Sequence, residues 1–233
     1  MRMPLRVVCD FDGTITKQDT ADAIFSRFAA PEWHDIEALW EAGEIGSAAC
    51  MRRQMELVNA SLPELDAALD ELEIDPAFPA FHAFCAERDI ELMIVSDGVD
   101  YFIRRILQGA GLPRLPIRAN RLIQKGERRF SLGHPHKVQD CASGAGTCKC
   151  ARAAPTATDQ RTVLIGDGRS DFCVAHEADI VFAKKSLLRY TREQGIAAFE
   201  YASFADIQAA FETLLPPVQA DVPCLDQGLS ASA

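Results

Sequence analysis

Three short clusters and one lysine hold most of the chemistry this chain offers. Asp10-Phe11-Asp12 sets two carboxylates two residues apart, Ser96-Asp97-Gly98 sets a hydroxyl beside a third, and Gly166-Asp167-Gly168-Arg169-Ser170-Asp171 supplies two more. Lys149 adds an ammonium. Carboxylates gathered at one edge repel one another unless a divalent cation sits among them, and an all-oxygen donor set favours Mg²⁺. Such an ion keeps several waters and takes a phosphate oxygen readily. A carboxylate can attack phosphorus and form an acyl phosphate. A second carboxylate two residues along can protonate the leaving alkoxide and then activate the hydrolytic water. Ser96 and Lys149 can hold the remaining phosphate oxygens, one by hydrogen bond and one by charge.

These groups need a scaffold that brings them to one place. Leu5 to Cys9 reads as a buried strand that delivers Asp10, followed by a turn at Asp12-Gly13-Thr14. Ile90 to Val95 and Thr162 to Ile165 read as two more buried strands, ending at Ser96-Asp97-Gly98 and Gly166-Asp167-Gly168. Asp179 to Phe182 reads as a fourth. Lys149 is expected on a loop before the third strand. Between the first two strands, Asp19 to Leu72 has only helical spacing, with starts at Pro31-Glu32 and Ser61-Leu62-Pro63-Glu64. Helices are expected over 78–88, 99–108, 187–194 and 204–215, and a hairpin around Lys125-Gly126. Strands alternating with helices predict an α/β fold, a doubly wound parallel sheet, with an inserted helical cap. The expected organisation is a core of 1–16 and 76–215, a cap of 17–75 and a loose tail of 216–233. In such a sheet, functional groups collect at the carboxyl ends of the strands near the topological switch point.

Composition sets the outer bounds. The chain has 233 residues, 48% of them hydrophobic, enough for one substantial core with a small appended unit. A formal net charge of −10 argues against broad attraction to nucleic acid or to an anionic membrane surface. It does not argue against a small phosphorylated metabolite met by a locally positive site. No apolar run approaches the roughly 20 residues needed to span a bilayer, and the N-terminus shows no signal-peptide pattern, so a cytoplasmic location is expected. No assembly signature fixes an oligomeric state. Of the eight cysteines, Cys9, Cys50, Cys85 and Cys173 sit in apolar stretches and read as small core residues. Cys141, Cys148 and Cys150 with His134 and His136 suggest a zinc site at first sight, but the spacing lacks a clean C-x2-C pair, so reduced thiols of a surface loop are the favoured reading and a structural metal the alternative.

The clusters also resemble a known family. Asp10-Phe11-Asp12-Gly13-Thr14-Ile15-Thr16 is similar to the DxDGT first motif of the haloacid dehalogenase superfamily phosphatases. Ile94 to Gly98 resembles the second motif, and Ile165 to Asp171 the GDGxxD form of the fourth. The resemblance runs in the right order up to about Leu215. It implies that Asp10 is the nucleophile and Asp12 the general acid/base. It implies Mg²⁺ held by Asp10, the Asp12 backbone and Asp167, with Asp171 orienting Lys149 or a metal-bound water. Gly13, Ser96, Asp97, Gly98 and Lys149, the third-motif lysine, are then expected around the substrate phosphate. Ser96 to Ile103, Asn120-Arg121-Leu122, His134-Pro135-His136 and Cys148-Lys149 narrow the resemblance to the phosphoserine-phosphatase-like branch. Within it they are most similar to the MtnX-like phosphatases of 2-hydroxy-3-keto-5-methylthiopentenyl-1-phosphate. Those relatives often carry C-x3-C-G-x-C-K, whereas Ala145 stands at the middle cysteine here and Cys150 lies just past the lysine.

Two other classes compete on the same residues. A phospho-aspartate receiver also gathers acids, a hydroxyl and a lysine around Mg²⁺. Asp12 and the long insertion disfavour it, because a second acid/base would shorten a phospho-signal. A phosphate-binding module without turnover is the third class, and no motif residue is missing to support it. Cap residues close to the first motif, Lys17, Asp19 and Thr20, are candidates for setting substrate choice.

Overall fold

The computed structural model describes residues 4–153 and 160–215, so the expected tail lies outside the described residues. In chain order the elements are β1 (Leu5–Cys9), α1 (Thr20–Phe28), α2 (Trp33–Glu41), α3 (Ser47–Glu56), α4 (Leu62–Leu69) and α5 (Phe78–Glu87). Then come β2 (Glu91–Val99), α6 (Asp100–Gly109), β3 (Ile117–Gly126), β4 (Arg129–Gly133), α7 (Lys149–Ala153) and β5 (Arg161–Gly166). Two 3₁₀ turns, β6 (Ile180–Ala183), α8 (Lys185–Gln194), β7 (Phe199–Glu200) and α9 (Phe204–Leu214) complete it.

The seven strands form one sheet in the order β4-β3-β2-β1-β5-β6-β7, parallel except for the antiparallel β3–β4 pair. From β1 the chain runs outward to β2 and β3 on one side, then returns to β5 and β6 on the other. The switch point therefore falls at the carboxyl end of β1, where Asp10 follows Cys9. The apolar runs are continuous because both faces of the sheet are covered. Val7, Cys9, Ile94 and Ile165 enter a core with Phe81, Phe102, Phe204 and Phe211, while Val8, Val95 and Leu164 pack on the other face with Leu187 and Leu188. Alternate residues of one strand thus fill opposite cores.

The doubly wound expectation is borne out, with corrections to its parts. β2 does not stop at Val95 but runs through Ser96-Asp97-Gly98 to Val99, with a register shift against β3 between Val95 and Val99. Across that irregularity the plain alternation breaks, since Val95 and Val99, four residues apart, pack in different cores. The hairpin turn lies beyond Gly126, at Glu127-Arg128. Lys149 is not on a loop; it opens α7. The two-residue edge strand β7 was too short to leave a sequence pattern. The inserted stretch holds the four helices α1 to α4, and α4 starts where expected, with Ser61 forming a capping box with Glu64. It leaves and rejoins the sheet through a short antiparallel crossing, in which Thr16 bridges Ile74 and Asp75 N–H donates to Ile15 O.

Candidate active site

Asp10 sits 5% exposed at the end of the central strand. Its Oδ1 accepts the Phe11 N–H at 2.8 Å and faces Lys149 Nζ at 2.8 Å. The same ammonium donates to Asp171 Oδ1 at 2.6 Å and Ser170 Oγ at 2.9 Å. Burial pushes the Asp10 carboxyl well up from the ordinary range, the Asp171 charge adds to that, and Lys149 opposes both. Burial alone would lower the Lys149 pKa, but Asp10 and Asp171 outweigh it and hold the amine charged. Lys149 is 3% exposed. It is therefore a buried cation with two carboxylates, not the loop lysine expected from the sequence.

Asp12 lies on the other side of the turn. Its Oδ1 accepts from Thr20 Oγ1 at 2.5 Å and Thr20 N–H at 3.0 Å, and its Oδ2 accepts from Ser96 Oγ at 3.2 Å. Burial raises its pKa, with the Thr20 and Ser96 bonds pulling the other way. A carboxyl that holds its proton more readily than usual suits proton donation to a leaving oxygen. Two glycines make room for this arrangement. A Cβ on Gly98 would collide with Asp12 Oδ2, and one on Gly13, at φ +68°, with Asp167 Oδ2.

Asp167 closes the floor from the end of β5. Its Oδ1 accepts from Thr14 Oγ1 at 3.3 Å and its Oδ2 from Lys185 Nζ at 2.8 Å. Lys185 has no motif to announce it. It opens α8 at a left-handed φ of +48°, and reaches the site because β6 ends beside β5. Asp171 accepts from Lys149 Nζ at Oδ1, and at Oδ2 from the N–H groups of Asp167 at 3.2 Å and Gly168 at 3.3 Å. Asp10, Asp167 and Asp171 each present an oxygen within 4.8 Å of the others, all three buried. Three buried carboxylates with all-oxygen donors fit a hard divalent cation. Asp171 is the most committed of the three to its neighbours, and Asp10 and Asp167 are the freer donors.

Asp97, expected beside the substrate phosphate, is also the hub of a network. Its carboxylate accepts from Ser47 Oγ at the start of α3, from Asn120 Nδ2 at 3.1 Å, and from the Gly146 and Thr147 N–H groups at 2.9 Å each. His134 Nδ1 meets Asn120 Oδ1 at 2.8 Å. One carboxylate thus ties the inserted helices, β3 and the segment leading to Lys149. The sequence singled out Asp97 and Asn120 but gave no sign that Ser47, fifty residues away, would join them.

Above the floor is a cavity of about 300 Å³. Its roof comes from the insertion: Asp19, Asp22, Phe25, Glu37, Trp40 and Met51. Of the expected selectivity residues, Asp19 lines the cavity and caps α1, and Thr20 binds Asp12. Lys17 does neither, and pairs with Glu73 at 2.5 Å on the surface. Arg169 reaches up from the β5 loop, its guanidinium 5.3 Å from the Trp40 ring.

Comparison with known proteins follows the same outline. Residues 7–176 match the model of the haloacid dehalogenase-like hydrolases. A 2-hydroxy-3-keto-5-methylthiopentenyl-1-phosphate phosphatase of Brevibacillus brevis is 34% identical over 89% of this chain and 95% of its own length. A protein of the same description from Geobacillus kaustophilus is 34% identical over 92% and 98%. Among solved structures, a phospho-aspartyl intermediate analogue of phosphoserine phosphatase aligns with a TM-score of 0.64, at 18% identity, over 90% of this chain and 99% of the other. At that identity the likeness speaks for the fold.

Proposed function

Since this chain belongs to the haloacid dehalogenase-like hydrolases, and is a phosphoric monoester hydrolase among them, we propose that it cleaves a small phosphate monoester through a phosphorylated Asp10, with Mg²⁺ as the metal. The observation that carries this reading is the unequal treatment of the first-motif carboxylates. Asp10 has one oxygen pinned by Phe11 N–H and Lys149, which leaves its other oxygen to attack phosphorus. Asp12, with its raised pKa, stands beside Ser96 to serve the leaving oxygen.

In the first step the Asp10 oxygen bonds to phosphorus as the ester P–O bond breaks, and Asp12 gives its proton to the departing alkoxide. In the second, Asp12 takes a proton from a water that attacks the phosphoryl group, and the Asp10–phosphorus bond breaks. Lys149 and the Ser96 hydroxyl hold phosphate oxygens through both steps. Asp10 and Asp167 would hold the Mg²⁺, with the Asp12 carbonyl and with Asp171 steadying the site. When bound, the ion neutralises charge on the phosphate and on the crowded carboxylates.

The segment 17–75 acts as a cap in this reading. Its two connections cross as a narrow antiparallel pair at Thr16 and Ile74, the place for a hinge. The substrate most favoured is 2-hydroxy-3-keto-5-methylthiopentenyl-1-phosphate, which the Brevibacillus and Geobacillus relatives are described as hydrolysing. The partner is accordingly a small phosphorylated metabolite.

The test is phosphate release from that ester and from phosphoserine, phosphoethanolamine and phosphocholine, with Mg²⁺ and with chelator. Release is expected with Mg²⁺ only, to vanish in Asp10→Asn, and to be fastest on the methylthio ester. Labelled phosphate is expected to stay on Asp12→Asn after denaturation. Turnover retained by folded Asp10→Asn would overturn the mechanism.

A further inference from the structure

The cysteines divide in a way the sequence did not suggest. Cys9, Cys50 and Cys85 are buried singly, as expected of core thiols. Cys173 is a correction: it is half-exposed, and its Sγ lies 2.9 Å from Sγ of Cys150. Cys150 itself lies on α7 and Cys148 is buried, so neither is a free surface-loop thiol. Among the described residues, the acidic trio is the only group of three or more potential ligands within 4.8 Å of one another. The sulfurs therefore meet as two pairs, Cys150 with Cys173 and Cys141 with Cys148, and do not converge as a metal tetrad.

The positions of the Cys150–Cys173 pair matter more than the contact. Cys150 follows Lys149 directly, and Cys173 lies two residues after Asp171. The two thiols thus join the same two segments that the Lys149–Asp171 ion pair joins at 2.6 Å. Cys173 also lines a cavity of about 360 Å³, shared with Lys149, Ser170 and Cys141, which gives a small oxidant access.

We propose that Cys150 and Cys173 are a modification site, oxidised by a peroxide to a reversible disulfide that lowers turnover by displacing Lys149 against Asp171. One sulfur attacks a peroxide oxygen, the O–O bond breaks, and a sulfenic acid and one water result. The second sulfur attacks the sulfenic sulfur, the S–S bond forms, the S–O bond breaks, and a second water leaves with the remaining thiol proton. The thiols lose two electrons and the peroxide gains them. A dithiol reverses the change by exchange. Bonding at about 2.05 Å requires the sulfurs to close by about 0.9 Å from their present separation. The shift falls on residues adjoining an ammonium held at 2.8 and 2.6 Å, and misplacement on the order of 1 Å can cost about 100-fold in rate.

The activity arm of the test rests on the phosphatase reading, while the covalent arm does not. The full-length, Mg²⁺-loaded protein is treated with hydrogen peroxide and digested without reductant, and the peptides are mapped by mass. A Cys150–Cys173 link, 2 Da lighter than the thiols, is expected, with kcat reduced about tenfold or more and restored by dithiothreitol. Cys150→Ser and Cys173→Ser are each expected to keep their activity after peroxide to within about twofold. No link, a link to Cys141 or Cys148, or a link that leaves kcat unchanged would overturn the proposal. So would zinc held stoichiometrically by the thiols of the purified protein. If no ester is hydrolysed even by reduced protein, the phosphatase reading fails, and the peptide map still decides whether the pair oxidises.

Discussion

The floor and the roof of the cavity are built on different principles. On the floor, Asp10, Lys149, Asp167 and Asp171 are all buried, and most of their oxygens are fixed by a backbone N–H or an ammonium. The roof is made by helices of the insertion, and among its polar groups Asp19 and Asp22 stand at the start of α1 with their charge partly open to water. The floor is tied to the strand ends, whereas in the cap reading proposed above the roof moves as a group about the crossing at Thr16 and Ile74. Rigid positioning serves the phosphoryl step, which depends on alignment and charge. A movable roof serves admission and choice of the leaving group. The division predicts that floor variants change kcat and stability, and that roof variants change the ranking of substrates.

The largest effect is expected at Lys149. Lys149→Met leaves Asp10 and Asp171 facing each other without their cation, a loss of about 3–5 kcal/mol for a broken buried pair. At about 2–4 °C per kcal/mol for a chain of this size, calorimetry should show Tm lower by about 10 °C. An unchanged Tm would place the lysine outside the structural floor. Next comes Gly98→Ala, where the added methyl collides with Asp12 Oδ2. Steady-state kinetics should give kcat down by about 100-fold with KM little altered.

Ser47→Ala tests the tie between the two regions. It removes one of the donors to Asp97 and should cost about 0.5–1.5 kcal/mol in urea unfolding, with a raised KM from a looser roof. A fall in kcat alone would mean that the tie belongs to the floor. Thr20→Val is expected to act more gently, through pH. The Thr20 hydroxyl holds the Asp12 pKa down against burial, so its removal raises that pKa. Protonated Asp12 then persists to higher pH, and the alkaline limb of kcat should move upward, which a pH–rate profile would read. The smallest effect is expected for Glu37→Gln, which removes a roof charge while its amide oxygen can still accept from Gln54 Nε2, worth about threefold to tenfold in the relative kcat/KM of cationic and neutral esters.

Much of the floor was legible because local sequence and local geometry coincide there. A buried strand must be apolar on both faces, so Leu5 to Cys9 and Thr162 to Ile165 read clearly, and their polar followers fall at the strand ends. What remained hidden depends on separation along the chain. Lys149 looked like a loop residue because burial of an amine is decided by its partners, and those are 139 and 22 residues away. Lys185 and Ser47 have no local pattern at all, and Cys173 looked like a core thiol because its neighbours are apolar.

By itself the sequence determined every strand but the two-residue β7, the helical insertion and which acids and hydroxyl would stand at the switch point, because periodicity and turn chemistry act over a few residues. Only the tertiary structure decided what each of those groups does. It bound Asp97 into a tie and gave Asp10 and Asp12 different surroundings two residues apart. It also set Cys150 against Cys173. Those outcomes turn on burial and on partners far along the chain, and both exist only once the sheet has closed.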